Sequence, residues 1–196
     1  MRKGIVLILM MAWILCLSSC GWMPVTDGSL LPGPTSANDP KGATDMEPIW
    51  SLTDANDFVM AMAEHLDEKT QYGEDLSALS EAERVFYITQ TLEMEVNNGG
   101  FSEFFYNSGG DVSHELVGAF TAIGADATAA ICRKAIEAFG TDVPADRDER
   151  IEILDGPDGD RICEALEECD EAFFAYEEDL NALSYNYVMK NKEQFT

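Results

Sequence analysis

The residues able to carry chemistry in this chain are almost all carboxylates. Glu164, Glu167, Glu168 and Glu171 fall at i, i+3, i+4 and i+7, so on a helix they share one face. At a rise of about 1.5 Å per residue that row spans about 10 Å. No Lys or Arg interrupts residues 164–179, although like charges at i, i+4 cost about 0.2–0.5 kcal/mol per pair. Such a row offers a basic partner what the phosphates of DNA offer. The same pattern also describes the solvated back of an amphipathic helix whose front is Ile162, Leu166, Cys169 and Phe173. Residues 155–160 place three Asp among Gly and Pro, a composition that suits a hard cation. Pro157 breaks the EF-hand pattern at its third position, and counting from Asp158 puts Ile162 at the fifth, so the segment reads as a turn. Glu93, Glu95, Glu103, Asp111 and His114 are close enough in sequence to converge as acid and base. An exposed helix and turn give the same spacing. His114-Glu115 does not continue to His-Glu-x-x-His, and there is no Gly-x-Ser-x-Gly, phosphate loop or Cys-x-x-Cys. The second histidine, His65, lies beside an apolar helical face. The sequence therefore assigns no catalytic residue, no metal-ligand set and no cofactor.

What positions these residues begins after an export segment. Arg2 and Lys3 precede an unbroken apolar run over residues 5–17, too short for the roughly 20 residues of a spanning helix. Leu17-Ser18-Ser19-Cys20 resembles the lipobox of bacterial lipoproteins, so residues 1–19 read as a signal peptide and Cys20 as the lipidated residue that holds the chain to a membrane. Residues 20–47, with Pro24, Pro32, Pro34 and Pro40, read as a tether. Residues 48–196 have the size of one domain. Removing Arg2, Lys3, Lys41, Asp27, Asp39, Asp45 and Glu47 from 12 basic and 37 acidic residues leaves 9 basic and 33 acidic, a net charge of −24. A domain so charged repels nucleic acid and anionic lipid, and its charged partners are expected to be basic protein surfaces or cations. Beyond Cys20, Cys132, Cys163 and Cys169 allow one disulfide with a free thiol, or buried free thiols.

Helical spacing runs through nearly the whole domain, with no period-2 strand. A first helix is expected over about residues 53–69, with Phe58, Val59, Met62 and Leu66 inward. A second opens with the capping box Ser80/Glu83 and carries Val85, Ile88, Leu92 and Val96. It ends at Asn97-Asn98-Gly99-Gly100, a pair of Asn and a pair of Gly suited to positive φ. Phe101, Phe104 and Phe105 follow on one face, Asn107 precedes a second Gly pair, and the stretch forms an aromatic corner. Ser113 is expected to cap a third long helix that Gly124 ends; a fourth starts at Asp126 and buries Ala127, Ile131, Ala135 and Ala138. A short helix near residues 146–154, a fifth over about 161–176 and a sixth over about 179–195 complete an all-α domain of about six helices.

The run from Glu93 through the Asn-Asn-Gly-Gly-Phe corner to Ser108 resembles a bacterial family of acidic helical domains, formerly a domain of unknown function and now named after a DNA-mimic protein. The resemblance extends through residues 119–125 and Ala135-Ile136, and more weakly to residue 195. It implies an all-helical fold, no known catalytic activity and an acidic surface that occupies the DNA-binding face of another protein. Glu103 stands where the family pattern carries Gln, which adds charge to the corner. The corner residues Asn97, Asn98, Gly99, Gly100, Phe101, Phe104, Phe105 and Asn107 are expected to be structural. Together these observations predict an exported, membrane-tethered lipoprotein whose non-catalytic acidic domain binds a basic protein surface through Glu164, Glu167, Glu168 and Glu171. A divalent-cation-binding or structural envelope module, and a carboxylate hydrolase at the corner, are the alternatives. Direct nucleic-acid binding is not expected.

Overall fold

Local caps decide where the main helices begin. The structure, a computed structural model, describes residues 46–140 and 142–196. The expected signal peptide, Cys20 and the tether through residue 45 lie outside the described residues. A short helix α1 (Glu47–Trp50), with Pro in its first turn, opens the described chain. Ile49 is buried and the Trp50 ring lies 5.8 Å from that of Phe58, so α1 packs onto the next helix. Asp54 accepts from the N–H groups of Asn56 and Asp57 and starts α2 (Ala55–Lys69). Ser80 and Glu83 form the expected capping box of α3 (Glu81–Tyr106), which is interrupted at Gly99 and Gly100. A 3-10 segment (Ser108–Glu115) leads into α4 (Leu116–Ile123), and α5 (Asp126–Glu137) follows. Asp146 caps α6 (Arg147–Leu154); α7 (Gly159–Phe174) and α8 (Leu180–Lys190), capped by Asp179, complete the order. Among the described residues there is no strand, so the fold is all-α as expected.

Packing divides around α3. Its first half, through Ala82 and Phe86, joins α1, α2, Val188 and Phe195 in one apolar cluster. The remainder, from Ile88 through Phe105, is buried against α4, α5, α6 and α7 in a second. The chain end is tucked in: Phe195 lies edge-on to Phe86 at 6.1 Å, and the Thr196 N–H donates to buried Glu83 at 3.0 Å. Lys69 donates to the same carboxylate at 2.8 Å. Burial pushes the Glu83 carboxyl up, but these donors and the Ser80 N–H outweigh it and leave it below the usual range.

Three helical expectations need correction. Ser113 caps no helix; it is buried inside the 3-10 segment with its hydroxyl unpartnered, and α4 has only 8 residues. The tighter winding brings Gly109 and Gly110 against Phe104 and Arg150, where a Cβ would lie within 3.0 Å and 2.6 Å of side-chain atoms. The buried face of α5 is Thr128, Ala129, Cys132 and Ala135, while Ala127 and Ile131 are half-buried. This helix packs against both α4 and α7, and small residues line the side that is enclosed. The last helix stops at Lys190, because Asn191 turns its amide back to the Tyr187 carbonyl at 2.8 Å.

Candidate interaction surface and its scaffold

The corner is built from two glycines and one distant carboxylate. Gly100 has φ +78° and ψ −178°, a region that essentially only Gly occupies. Asn97 and Asn98 stay helical, so the left-handed step falls on Gly100 alone of the four residues expected to share it. The break turns the chain so that Phe101, Phe104 and Phe105 are fully buried. Asp170 of α7 accepts from the Phe101 N–H at 2.7 Å, and its Oδ2 stands 2.4 Å from where a Cβ on Gly100 would sit. Burial raises the Asp170 pKa, against the Phe101 hydrogen bond, which lowers it. Asn107 closes the corner, donating to Glu95 at 2.8 Å and Glu103 at 3.2 Å. Asn97 donates to the Tyr176 hydroxyl at 2.7 Å, and that hydroxyl donates to Glu93 at 3.2 Å. Asn98 is exposed.

Arg150, fully buried on α6, ties the corner to the rest of the domain. It donates to the carbonyls of Phe105, Asn107, Pro144 and Ala145 at 2.8–3.0 Å, and to Asp111 at 2.6 Å. A buried guanidinium is tolerated only when its donors are matched in this way. Glu178 plays a similar part at the start of α5, where no local side chain caps the helix. Its carboxylate accepts from the N–H groups of Ala127 and Thr128 at 3.0 and 2.9 Å and from the Thr128 hydroxyl at 2.8 Å. Burial pushes its pKa up, but those donors prevail and hold it below the ordinary carboxylate range.

The outer face of α7 is organised differently. Ile162, Leu166, Cys169 and Phe173 are buried, and Glu164, Glu167, Glu168 and Glu171 are all exposed. Among the described residues none of these four takes part in a salt bridge of the domain, and most of the basic residues are engaged elsewhere. Lys69, Arg84 and Arg150 pair with Glu83, Glu115 and Asp111. Arg147 and Arg161 donate to the carbonyls of Tyr106 and Ala138, and Lys192 lies over the Trp50 ring at 4.3 Å. Six of the nine basic residues of the domain are thereby drawn into internal contacts, and of the other three Lys134 borders the α7 row at its Glu168 flank. On one flank, Glu168 borders a groove of about 360 Å³ between α5 and α7, lined by Ile131, Ala138, Ala165, Cys169 and Ala172 together with Lys134 and Glu137.

The other sequence candidates separate in space. Glu95 and Asp111 line a cleft of about 290 Å³ with Asp67, Tyr72, Tyr87 and Met94, whereas Glu103 and His114 do not line it. His114 is exposed and lies 3.5 Å from Glu115. Among the described residues no group of three or more His, Cys, Asp or Glu is placed to hold a metal ion. In the 155–160 turn, Asp155 accepts from the Tyr106 hydroxyl, and this raises the Tyr106 pKa to about 12. Cys132, Cys163 and Cys169 are free thiols; burial pushes the first well up and also raises the last, which disfavours the reactive thiolate.

Asp170, Arg150 and Glu178 were not singled out by sequence as working residues. Arg150 carried a signal, since it lies four residues before buried Leu154 and so on the inner face of α6. Asp170 and Glu178 sit in an acidic run that gives no local sign of their partners. No curated protein and no solved structure matches the chain. A family model described as DMP19-like protein matches residues 77–191, from just before the capping box of α3 to the end of α8, which includes the corner, its Arg150 and Asp170 anchors and the acidic face of α7. With more than half of its length matched, the chain belongs to the DMP19-like protein family.

Proposed function

We propose that this chain is an exported lipoprotein, held to a membrane through Cys20, whose DMP19-like domain binds a basic protein surface through the outer face of α7 and performs no catalysis. The observation that carries this reading is the separation of carboxylates by task. Glu83, Glu95, Asp111, Glu115, Asp170 and Glu178 each engage a donor inside the domain, while Glu164, Glu167, Glu168 and Glu171 are exposed and have no donor among the described residues. Four charges over about 10 Å of helix give one charge per about 3.5 Å, close to the roughly 3.4 Å per charge along one strand of B-DNA. A surface evolved for phosphates therefore meets a similar charge density on α7. The groove beside Glu168 adds an apolar strip where a partner can gain contact area.

The test has two arms. A photo-cross-linking residue in place of Glu167 is expected to capture a protein with a basic contact surface in intact cells, and the quadruple change of Glu164, Glu167, Glu168 and Glu171 to Gln, with the cross-linker moved to exposed Glu177, is expected to abolish capture. Capture undiminished by the quadruple change would refute the assignment of the face. Cys20→Ser is expected to release the chain from the membrane fraction, and full retention there would refute the anchor.

A further inference from the structure

We propose that Asn98 is a site of spontaneous covalent modification that loosens the corner, passing through a cyclic imide to isoaspartate and aspartate with water as the co-reactant. The reaction needs an Asn amide and a following backbone nitrogen that can reach it. The Gly99 nitrogen bonds to the side-chain carbonyl carbon of Asn98 and gives up its proton. The side-chain nitrogen leaves with that proton as ammonia, and a succinimide ring closes. Water then opens the ring at either carbonyl. Breaking the newly formed bond gives aspartate in an ordinary backbone. Breaking the original peptide bond gives isoaspartate, in which the main chain runs through the side-chain carbons. The net change is addition of water and loss of ammonia, and nothing is oxidised or reduced.

Sequence and geometry single out this residue. Asn97 donates to the Tyr176 hydroxyl, Asn107 to Glu95 and Glu103, Asn181 to Asn56 and Asn191 to the Tyr187 carbonyl. Among the described residues only the Asn98 and Asn186 amides make no such bond. Asn186 lies inside α8 before Tyr187, so the nitrogen it would need is held in the helical ladder beside a bulky side chain. Asn98 and Gly99 are both exposed, and Gly99 has no Cβ to shield its nitrogen. The ladder also ends here. In a continuous helix the Phe101 N–H would donate to the Asn97 carbonyl, but it donates to Asp170 at 2.7 Å instead. Gly99, at φ −159° and ψ 18°, has already left the helical region. Residues at a helix end open locally at low cost, which gives the peptide between positions 98 and 99 the rotation that the attack requires. The position also gives the modification its effect. Isoaspartate lengthens the main chain just before Gly100, where a Cβ would sit 2.4 Å from Oδ2 of Asp170. Backbone packed so closely takes up the added carbon only by moving away from Asp170, and the Phe101 hydrogen bond is lost.

Warm incubation of the full-length chain in detergent at mildly alkaline pH, followed by peptide mapping with electron-transfer fragmentation, tests this. Position 98 is expected to gain the mass of amide-to-acid conversion several-fold faster than Asn186, with isoaspartate in excess of aspartate. Chains carrying isoaspartate there should melt roughly 3–12 °C lower, the shift for loss of one hydrogen bond to a charged group. Asn98→Ser, incubated alongside, should keep its Tm. Asn98→Asp adds the charge without lengthening the chain and should melt within about 2 °C of the fresh wild type. An unchanged mass at position 98, conversion at Asn186 as fast as at Asn98, or aspartate without isoaspartate would each overturn the proposal. So would isoaspartate at position 98 with an unchanged Tm, or an equal fall of Tm in the incubated Asn98→Ser chain.

Discussion

Replacing Gly100 with Ala while Asp170 is present or absent isolates the joint on which the corner rests. Ala at φ +78° and ψ −178° occupies a Gly-only region, at a cost of about 1–3 kcal/mol. Its Cβ would also lie 2.4 Å from Oδ2 of Asp170, so the carboxylate must move and give up the Phe101 N–H it holds at 2.7 Å. A hydrogen bond to a charged group contributes about 1.5–3 kcal/mol. The single change Gly100→Ala is therefore expected to destabilise the domain by about 2.5–6 kcal/mol. For a domain of this size that lowers Tm by roughly 5–24 °C. In an Asp170→Ala background the clash is gone, and only the backbone term of about 1–3 kcal/mol remains. The cycle should thus show a coupling of about 1.5–3 kcal/mol between positions 100 and 170. Urea unfolding followed by far-ultraviolet circular dichroism measures all four proteins. Equal losses from Gly100→Ala in the two backgrounds, or a Tm change below about 2 °C, would refute the reasoning.

Other consequences follow from the same contacts. Arg150→Met leaves the carbonyls of Phe105, Asn107, Pro144 and Ala145 without their donor and should destabilise by about 3–5 kcal/mol in urea melts; a change below about 1 kcal/mol would contradict the anchoring role. Glu83 binds its proton less tightly in the folded chain, so its contribution is present above the unfolded value of 4.5 and fades as pH falls through the lower folded value. Glu83→Gln should accordingly be less stable than the wild type near neutral pH, and the two should converge under acid conditions; a constant difference across that range would count against the network. Changing Glu164, Glu167, Glu168 and Glu171 to Gln removes the like-charge pairs 164/168 and 167/171, so Tm should hold or rise by roughly 1–4 °C, and a fall would show that the row has a structural task.

Local chemistry was legible in the sequence and long-range chemistry was not. The Ser80/Glu83 box and the Gly124 stop are each decided within a few residues, and each appears where expected. The aromatic face of Phe101, Phe104 and Phe105 was readable from helical spacing and is fully buried. The partners of the corner were not readable. Asp170 lies in a Glu-Glu-Cys-Asp-Glu string and differs from its neighbours only by facing a Gly100–Phe101 backbone that is 69 residues away from its own position at the bond. Glu178 caps a helix 50 residues earlier, and no local cap at α5 signals the need. The 3-10 segment was missed because Ser113 looks like a cap in sequence, whereas the packing of Gly109 and Gly110 against Phe104 and Arg150 decides the winding. The α7 row was legible as a face, since its exposure follows from the same period that buries Ile162, Leu166, Cys169 and Phe173.

The claim that the outer face of α7 holds a basic protein is tested most directly by measuring the affinity of the cross-linked partner, once purified, against salt. Between about 0.1 and 1 M NaCl the screening length falls from about 10 to about 3 Å. The wild-type chain is expected to lose about tenfold or more in affinity over that range, mostly through slower association. The quadruple Gln variant of Glu164, Glu167, Glu168 and Glu171 is expected to bind weakly at low salt and to respond little to added salt. An affinity that is unchanged across the salt range, or the same in the variant and the wild type, would contradict the account.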